Sequence, residues 1–312
     1  MSFIDFHCDT ASLLLEFQDK NLRNSDLKVD IEKLKKGDAA AQFFALFIHE
    51  DKKESLYNKC VRMLDNLKKE MEINKDEIMF CKNFEDYIKA RNLNKIAGFI
   101  TIEEGEAIEG DMDKLRFFKE QGVSLMTLTW NYENHIGYPN YQYKNQFSGL
   151  KSFGIEVVEE MNRLGMLIDV SHLSDRGFWD AINHSKDPII ASHSNARVAW
   201  NHSRNLTDEM IRALSDKGGV TGINFCNDFL GNSEISSIAD MVRHIKHIKN
   251  IGGVDCIALG SDFDGIENEV EIKDASEMGN LIFGLEKEGF TQNEIEKIFY
   301  KNGERIIKDV LK

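Results

Sequence analysis

Short apolar runs alternate with helix-like segments along the chain, and this alternation constrains the fold more than any other feature. The runs are mostly continuous rather than alternating in polarity, as expected for parallel strands covered on both faces. They are Phe3–Cys8, Ala40–Ile48, Ile96–Ile102, Ser124–Trp130, Met166–Ser171, Pro188–Ser192, Val220–Phe225 and Cys256–Gly260. Eight strands alternating with helices predict an α/β fold, a (β/α)₈ TIM barrel, as a single domain over residues 1–312.

An open doubly wound sheet is the competing fold, but no Gly-x-Gly-x-x-Gly pattern follows the first predicted strand. Helix-boundary signals fit the barrel pattern. Thr207 is placed to cap one helix, and Thr291 with Glu294 forms a capping-box pattern at the start of the last helical region. The pair Asn302-Gly303 is expected to divide that region into two helices.

Composition excludes several classes of partner. Acidic residues outnumber basic ones, 53 against 39, and the formal net charge is −14. Such a surface repels phosphate backbones and anionic membranes, so nucleic acid and lipid are poor partners. No segment approaches the roughly 20 apolar residues that span a bilayer, and the N-terminus does not match a signal peptide. Five scattered cysteines without a Cys-x-x-Cys pair indicate a reducing compartment, which predicts a cytoplasmic protein.

The ends of the predicted strands carry an unusual set of polar residues. In a barrel of this kind the active site lies at the C-terminal ends of the strands. Five of those ends hold imidazoles or carboxylates, in the segments 5–9, 103–105, 169–172, 192–194 and 260–264. We therefore expect these side chains to converge on one rim of the barrel.

His7 and Asp9 are two residues apart, so on a strand both side chains point to the same face, with Cys8 opposite. An imidazole and a carboxylate on one side of a strand form a two-point grip on a metal such as zinc. The alternative is a hydrogen-bonded pair that caps the first strand. The four further polar strand ends favour the metal site.

Glu104 follows the third predicted strand and precedes a glycine, where its carboxylate could bridge two metals. Glu103 and Glu106 are neighbours that compete for this assignment, and a solvated acidic loop is the alternative for all three. His172 and His193 each end a strand and are candidate ligands of a second metal. A lone histidine at such a place is more often structural, but two on adjacent strands favour a metal site.

Asp262, on the last strand, is placed to shuttle a proton between a metal-activated water and a leaving amine. Asp264 is the alternative carboxylate, and we favour Asp262 because it is closer to the strand. Arg204 lies in the loop after the sixth strand, where a guanidinium can clamp a substrate carboxylate through two parallel hydrogen bonds. An ordinary surface arginine is the alternative.

Taken together, these motifs resemble the renal (membrane) dipeptidase family of amidohydrolase-like barrels. The matching segments occur in family order and extend from residue 5 to residue 265. They are DFHCD at 5–9, EEGEAI at 103–108, IDVSH at 168–172, SHSNAR at 192–197, HSRN at 202–205 and GSDFDG at 260–265. No single motif is decisive, but six in the right order are strongly specific.

The resemblance implies a site for two zinc ions, or for another divalent metal. Residues matching His7 and Asp9 bind one ion in that family, and residues matching His172 and His193 bind the other. A glutamate matching Glu104 bridges the two.

The resemblance also implies a substrate and a reaction. The residue matching Arg204 binds the free carboxylate of a dipeptide, and the one matching Asp262 contacts its amine and assists proton transfer. The implied reaction is hydrolysis of the single amide bond of an L–L or L–D dipeptide by a hydroxide that bridges the metals.

One position departs from the family pattern. Where family members such as the renal enzyme carry a histidine that helps to polarise the scissile carbonyl, this chain has Trp130. His135, Tyr132 and Asn131 in the same loop are candidates for the missing donor, and the alternative is that Trp130 belongs to the core. The long loop over residues 131–149, rich in Tyr and Asn, is a candidate lid or partner surface.

Three functions remain open on the sequence alone. The first is a cytoplasmic dinuclear zinc dipeptidase acting on small peptides with free ends, for which family analogy adds a homodimer. The second is the same barrel hydrolysing another small amide, a lactone or a lactam, and a neutral substrate would gain nothing from the Arg204 clamp. The third is a metal-binding protein without turnover, against which the retention of the five candidate ligands argues.

Overall fold

The computed structural model of the protein describes residues 1–49 and 54–312. Within these residues nine parallel strands form one sheet. The strands are β1 (Phe3–Cys8), β2 (Ala39–Phe47), β3 (Ile78–Phe80), β4 (Ile96–Glu103), β5 (Val123–Thr127), β6 (Leu167–Asp169), β7 (Ile190–Ala191), β8 (Val220–Ile223) and β9 (Ile257–Leu259).

Eight of these strands close into a barrel, which confirms the predicted fold. The hydrogen-bonded order runs from β2 through β1, β9, β8, β7, β6 and β5 to β4, and β4 pairs again with β2. Strand β3 was not predicted from the sequence and lies outside the ring. It pairs with residues 96–98 of β4, whereas β5 pairs with residues 100–103 of that strand. A strand of only three residues gives too short a pattern to recognise.

Helices fill the segments between the strands. They are α1 (Thr10–Glu16), α2 (Ile31–Lys36), α3 (Leu56–Ile73), α4 (Phe84–Asn92), α5 (Met112–Glu120), α6 (Ser152–Leu164), α7 (Asp175–His184), α8 (Asp208–Asp216), α9 (Asn227–Leu230), α10 (Ile238–Gly252), α11 (Asn280–Lys287), α12 (Gln292–Glu296) and α13 (Asn302–Val310). Among the described residues, no helix has the length and apolar character required to cross a membrane.

The sequence located two helix starts correctly and one helix boundary wrongly. The side chain of Thr207 accepts a hydrogen bond from the backbone of α8, and Thr291 and Glu294 form a capping box at α12. The expected break at Asn302-Gly303 is wrong, because the chain continues from α12 through a π-helical turn at Lys297–Lys301 directly into α13. Asn302 instead donates two side-chain hydrogen bonds to backbone carbonyls at the start of β9.

Apolar side chains fill the barrel interior at the end where the strands begin. One apolar cluster takes residues from all eight barrel strands, including Phe6, Phe43 and Phe99, together with Ile306 and Ile307 of α13. A larger cluster packs the outer faces of the strands against the surrounding helices. The C-terminal helix thus closes the end of the barrel where the strands begin, and the opposite end is left for polar groups.

Candidate active site

A cavity of about 950 Å³ opens at the C-terminal ends of the barrel strands. Its walls include Asp9 after β1, Glu103 at the end of β4, His172 after β6 and Asp262 after β9. The side chains that the sequence placed at separate strand ends therefore meet in one depression, as expected for a barrel of this type.

The first pair of candidate ligands lies at the end of β1. His7 Nε2 is 3.6 Å from Asp9 Oδ2, while the thiol of Cys8 turns away and donates to the carbonyl of Phe43. Asp9 precedes α1 but makes no side-chain cap bond to it, so its carboxylate is free for the cavity. Gly265 makes this arrangement feasible, because a Cβ there would lie 1.8 Å from Asp9 Oδ2.

The second pair, His172 and His193, lies beside the first, with the ring centroids of His7 and His193 3.9 Å apart, and one carboxylate contacts both pairs. The two Nε2 atoms of that pair are 3.0 Å apart. Glu103 Oε1 lies 3.1 Å from His172 Nε2 and 3.5 Å from His193 Nε2, and Glu103 Oε2 lies 3.1 Å from His7 Nε2. The two oxygens of Glu103 thus face the two pairs separately, which is the position of a bridging ligand.

This geometry corrects the assignment of the bridging carboxylate to Glu104. The backbone of Glu104 has φ +90°, a left-handed conformation that turns its side chain out of the cluster. Its carboxylate is fully buried and accepts hydrogen bonds from the backbone of Trp130 at 2.7 Å and of Glu106 at 2.8 Å, and from the amide of Asn134. Glu103, the neighbour that the sequence left open, lies between the two pairs instead.

His193 is oriented by a buried carboxylate that acts through a serine. Asp169 accepts five hydrogen bonds, from Thr127, from the amide and hydroxyl of Ser171, and from the amide and hydroxyl of Ser192. Because the Ser192 hydroxyl donates to Asp169 at 2.6 Å, its lone pair accepts from His193 Nδ1 at 2.7 Å. The proton is then on Nδ1, and Nε2 presents a lone pair to the cluster.

His172 is oriented in the same sense by an amide. Its Nδ1 lies 3.1 Å from Oδ1 of Asn131, an atom that can only accept, so Nδ1 carries the proton. The lone pair of His172 Nε2 therefore also faces Glu103. Two histidines on adjacent strands are held with their unprotonated nitrogens toward one point, as ligands of a metal require.

Asp262 and Asp264 share a left-handed backbone conformation but face different surroundings. Asp262 Oδ1 is 3.7 Å from His7 Nε2, and its Oδ2 accepts a hydrogen bond from Asn224 at 2.9 Å. Asp264 instead accepts from Thr10 at 2.7 Å and from the backbone amide of Lys28 at 2.7 Å, which fixes a loop. Both residues line the cavity, but Asp262 faces the candidate ligands whereas the carboxylate of Asp264 is held by the loop.

Arg204 is a buried cation beside the second pair of histidines. Its guanidinium donates to Ser194 Oγ and to the carbonyl of His193, both at 3.2 Å, and lies 5.2 Å from the centre of the Phe229 ring. Its Nε has no hydrogen-bond partner, and within residues 1–49 and 54–312 no carboxylate pairs with it. It is therefore not an ordinary surface arginine, although it stands behind Phe229 rather than among the residues that line the cavity.

The electrostatics of the cluster favour a cation. Burial alone would lower the pKa of His7, but the carboxylates of Glu103 and Asp9 raise it well above its usual value. Burial raises the pKa of Asp9 to about 7. Burial lowers the pKa of His172 to about 3, which keeps this imidazole neutral. The carboxylates thus favour positive charge at the cluster, and the neutral imidazole of His172 beside them is a ligand that divalent metals bind.

Unpaired buried atoms point to the same conclusion. Both ring nitrogens of His7 and Oδ1 of Asp9 are buried and lack a hydrogen-bond partner within the described residues. Buried polar atoms are normally satisfied; His7 Nε2 contacts the carboxylate of Glu103 at 3.1 Å, whereas among the same residues His7 Nδ1 and Asp9 Oδ1 have no such contact. The candidate ligand atoms of His7, Glu103 and His193 lie within 4.8 Å of one another, as do those of His7, Asp9 and Asp262.

Comparison with known proteins decides the family. The profile of the membrane dipeptidase family, peptidase family M19, matches residues 1–312. The chain belongs to this family. It is accordingly a metal-dependent hydrolase of the dipeptidase type, and the resemblance noted in the six sequence motifs is confirmed.

Relatives extend over most of this dipeptidase. A protein of Klebsiella pneumoniae, described by its position 5′ of pqqA, is 35% identical over 243 residues, which are 75% of this chain and 89% of the relative. An uncharacterized dipeptidase of Schizosaccharomyces pombe is 32% identical over 319 residues, covering 95% of this chain and 74% of the relative.

Solved structures share the fold of this dipeptidase. The crystal structure of the M19 metallopeptidase called dipeptidase AC has a TM-score of 0.93 at 24% identity and covers 100% of this chain and 99% of its own. A metallopeptidase from Rhodobacter sphaeroides has a TM-score of 0.91 at 22% identity and covers 99% of both chains. That protein was solved with a phosphinate mimic of the dipeptide L-Ala-D-Ala.

Trp130, the residue that departs from the family pattern, lies at the wall of the cavity of this dipeptidase and not in the core. Its ring contacts the ring of Phe47 edge-on, with centroids 5.0 Å apart. Of the three candidate donors in the loop, only Asn131 lines the cavity. His135 is 60% exposed at its side chain and pairs with Glu106 instead.

Sequence reasoning missed the residues that orient the ligands. Asp169, Ser192 and Asn224 lie next to or near the predicted ligands but were not singled out, and Asn131 was named only as a candidate donor to the substrate. A signal did exist for Glu103: Phe99 belongs to the barrel interior, and the period of two along β4 puts Glu103 on the same face. Glu104, one residue further, falls on the opposite parity.

Proposed function

We propose that the protein is a dinuclear zinc dipeptidase that hydrolyses L–L and L–D dipeptides with free amino and carboxyl ends. The observation that carries the proposal is the carboxylate of Glu103, whose two oxygens lie 3.1 Å from His7 Nε2 and 3.1 Å from His172 Nε2. One carboxylate between two sets of ligands is the arrangement of two-metal hydrolytic sites.

The residues that would hold the metals are the two pairs on either side of Glu103. His7 with Asp9 would hold one ion, and His172 with His193 the other. The unsatisfied atoms of His7 and Asp9, and the lone pairs of the two other histidines, support this assignment. When bound, two zinc ions would polarise the scissile carbonyl and lower the pKa of the attacking water.

Arg204 and Asp262 would recognise the two ends of the substrate. Arg204 supplies a buried positive charge that no carboxylate of the described residues neutralises, so the free carboxylate of a dipeptide is a fitting counter-ion. Asp262 is held by Asn224 through Oδ2, and Oδ1 is directed toward the cluster. From there it would bind the substrate amine and deliver a proton to the leaving nitrogen.

The compartment and the oligomeric state stay predictions. All five cysteines are unpaired, which supports a reducing compartment such as the cytoplasm. A homodimer rests on family analogy. Sedimentation of the purified protein measures the oligomeric state directly.

The test is dipeptide hydrolysis by metal-analysed protein, before and after chelation. The panel holds L–L and L–D dipeptides together with N-acetylated and C-amidated versions of each. We expect cleavage only with about two metals per chain and with both ends free. Binding of two metals without cleavage of any dipeptide would exclude the dipeptidase proposal and favour another amide, a lactone, or a protein without turnover.

Two variants test the corrected bridging residue. Glu103→Gln should lose bound metal and activity together, because the neutral amide cannot bridge two cations. Glu104→Gln should retain two metals per chain. If Glu104→Gln loses the metals while Glu103→Gln keeps them, the assignment taken from the structure is wrong and the one taken from the sequence is right.

A further inference from the structure

In the loop after β5, the side-chain amide of Asn131 has a hydrogen-bonded oxygen and, among the described residues, a nitrogen without a hydrogen bond at the cavity wall. Asn131 lines the cavity, and its Oδ1 accepts from His172 Nδ1 at 3.1 Å. With its oxygen toward His172, the amide of Asn131 directs its nitrogen away from the ring. The Nδ2 group makes no hydrogen bond within the described part of the chain.

Hydrogen bonds to the carboxylate of Glu104 fix the backbone segment that carries Asn131. One oxygen of Glu104 accepts from the backbone N–H of Trp130, the residue before Asn131, at 2.7 Å. The other accepts from Asn134, whose amide also bonds to the carbonyl of Leu128 at 2.8 Å. A fully buried carboxylate thus ties both sides of the segment to the end of β4.

This tie requires an unfavourable backbone. Glu104 has φ +90° and ψ 101°, a conformation that is strained for a non-glycine residue and persists only where the surroundings enforce it. Glycine would adopt the same backbone without strain. A glutamate at this position therefore serves the contacts of its carboxylate rather than the turn itself.

We propose that Asn131 donates its Nδ2–H to the substrate carbonyl while its Oδ1 orients His172, and that Glu104 is the positioning residue that holds Asn131 in place. The inference rests on the proposed function, since it needs an amide substrate in the cavity. Asn131 stands at the wall beside His172 and Glu103, so a carbonyl held over the cluster is the acceptor within reach of its amide. A donor that is fixed before the substrate arrives stabilises the charge that develops on that oxygen.

Two substitutions of Asn131 separate its two roles. Asn131→Asp keeps an oxygen for His172 and removes the donor, whereas Asn131→Ala removes both. We expect kcat to fall by about 100-fold in both variants, the loss typical of one oxyanion donor. Metal affinity, measured by competition with a chromophoric chelator, should fall by about 10- to 100-fold in Asn131→Ala and stay close to the parent in Asn131→Asp.

Glu104→Gly tests the positioning role without adding strain. It suits the positive φ but leaves the buried donors of Trp130, Glu106 and Asn134 without their acceptor, so we expect easier thermal unfolding. On protein that is folded at the assay temperature, kcat at saturating metal should fall by at least about 10-fold. Asn94→Gly is the matched control, because Asn94 is also left-handed (φ 54°) but precedes β4 at the opposite end of the barrel. Its kinetics should match the parent.

Each part of the proposal has its own result that would overturn it. Parent-like kcat in both Asn131 variants would overturn the donor role, and unchanged metal affinity in Asn131→Ala would overturn the orientation of His172. Parent-like kcat in Glu104→Gly would overturn its positioning role. If the parent protein cleaves no dipeptide, the proposed function fails instead, and the metal-affinity comparison still decides whether Asn131 acts on His172.

Discussion

Removing the hydroxyl of Ser192 should weaken metal binding without dismantling the barrel. The hydroxyl connects Asp169 Oδ2 at 2.6 Å to His193 Nδ1 at 2.7 Å, and all three side chains are buried. In Ser192→Ala, Asp169 keeps four of its five hydrogen bonds, but the Nδ1–H group of His193 loses its acceptor. Without that acceptor, the tautomer of His193 that carries its proton on Nδ1 is less strongly favoured over the tautomer with the proton on Nε2, which faces the cluster.

The size of the effect follows from the lost bond. A buried donor without a partner costs about 1–3 kcal/mol, and groups that orient a metal ligand typically contribute about 10- to 100-fold in affinity. At about 1.4 kcal/mol per tenfold, the two ranges agree. We expect metal to dissociate from Ser192→Ala at about 10- to 100-fold lower chelator concentration, with kcat largely restored when metal is in excess.

Ser185→Ala is the matched control for this measurement. Ser185 is also buried, and its hydroxyl donates to the carbonyl of Asp187 at 2.7 Å, but it lies beyond α7 and away from the cavity. Both variants should lose about 1 kcal/mol of unfolding free energy, and only Ser192→Ala should lose metal affinity. Equal metal affinity in the two variants would refute the argument that Ser192 orients His193.

Two further predictions concern the substrate clamp and pH. Arg204→Lys keeps the charge but loses the paired donors, so we expect kcat/KM for free dipeptides to fall by about 10- to 100-fold, while C-amidated analogues change little; an equal loss for both substrates would contradict the clamp. Burial lowers the pKa of His244 to about 4, below its unfolded value of about 6.5. Its stabilising contribution is therefore complete above pH 6.5 and is lost as the pH falls toward 4, by up to about 3 kcal/mol. Denaturant unfolding of the parent should show this loss, and His244→Asn should show a smaller one; parallel pH profiles would contradict it.

The fold was predictable because its signal is distributed over the whole chain. Continuous apolar runs at Phe3–Cys8 and Ile96–Ile102, with helical segments between the strands, leave few architectures other than a closed parallel barrel. Strand β7, by contrast, is only Ile190–Ala191, shorter than the predicted run, because the residues after it turn inward to present Ser192 and His193.

The site was predictable to within one residue and no better. His7, Asp9, His172 and His193 stand out because their residue types recur at strand ends, which the sequence alone reveals. The choice between Glu103 and Glu104 depends on where the strand stops and on the backbone torsion of the following residue. The period of two along β4 favours Glu103 only once the interior face of that strand is known. Asn131 was named as one of three donors, but only the packing of its loop distinguishes it.

The carboxylate of Asp169 has a consequence for how the enzyme acquires its metals. It gathers donors from three successive strands, through Thr127 of β5, Ser171 after β6 and Ser192 after β7. These bonds form as the barrel closes, so the entropy of fixing the imidazole of His193 is lost during folding and not during metal uptake. The free energy of metal binding then adds to the stability of the folded barrel, because a ligand that binds only the folded state stabilises it.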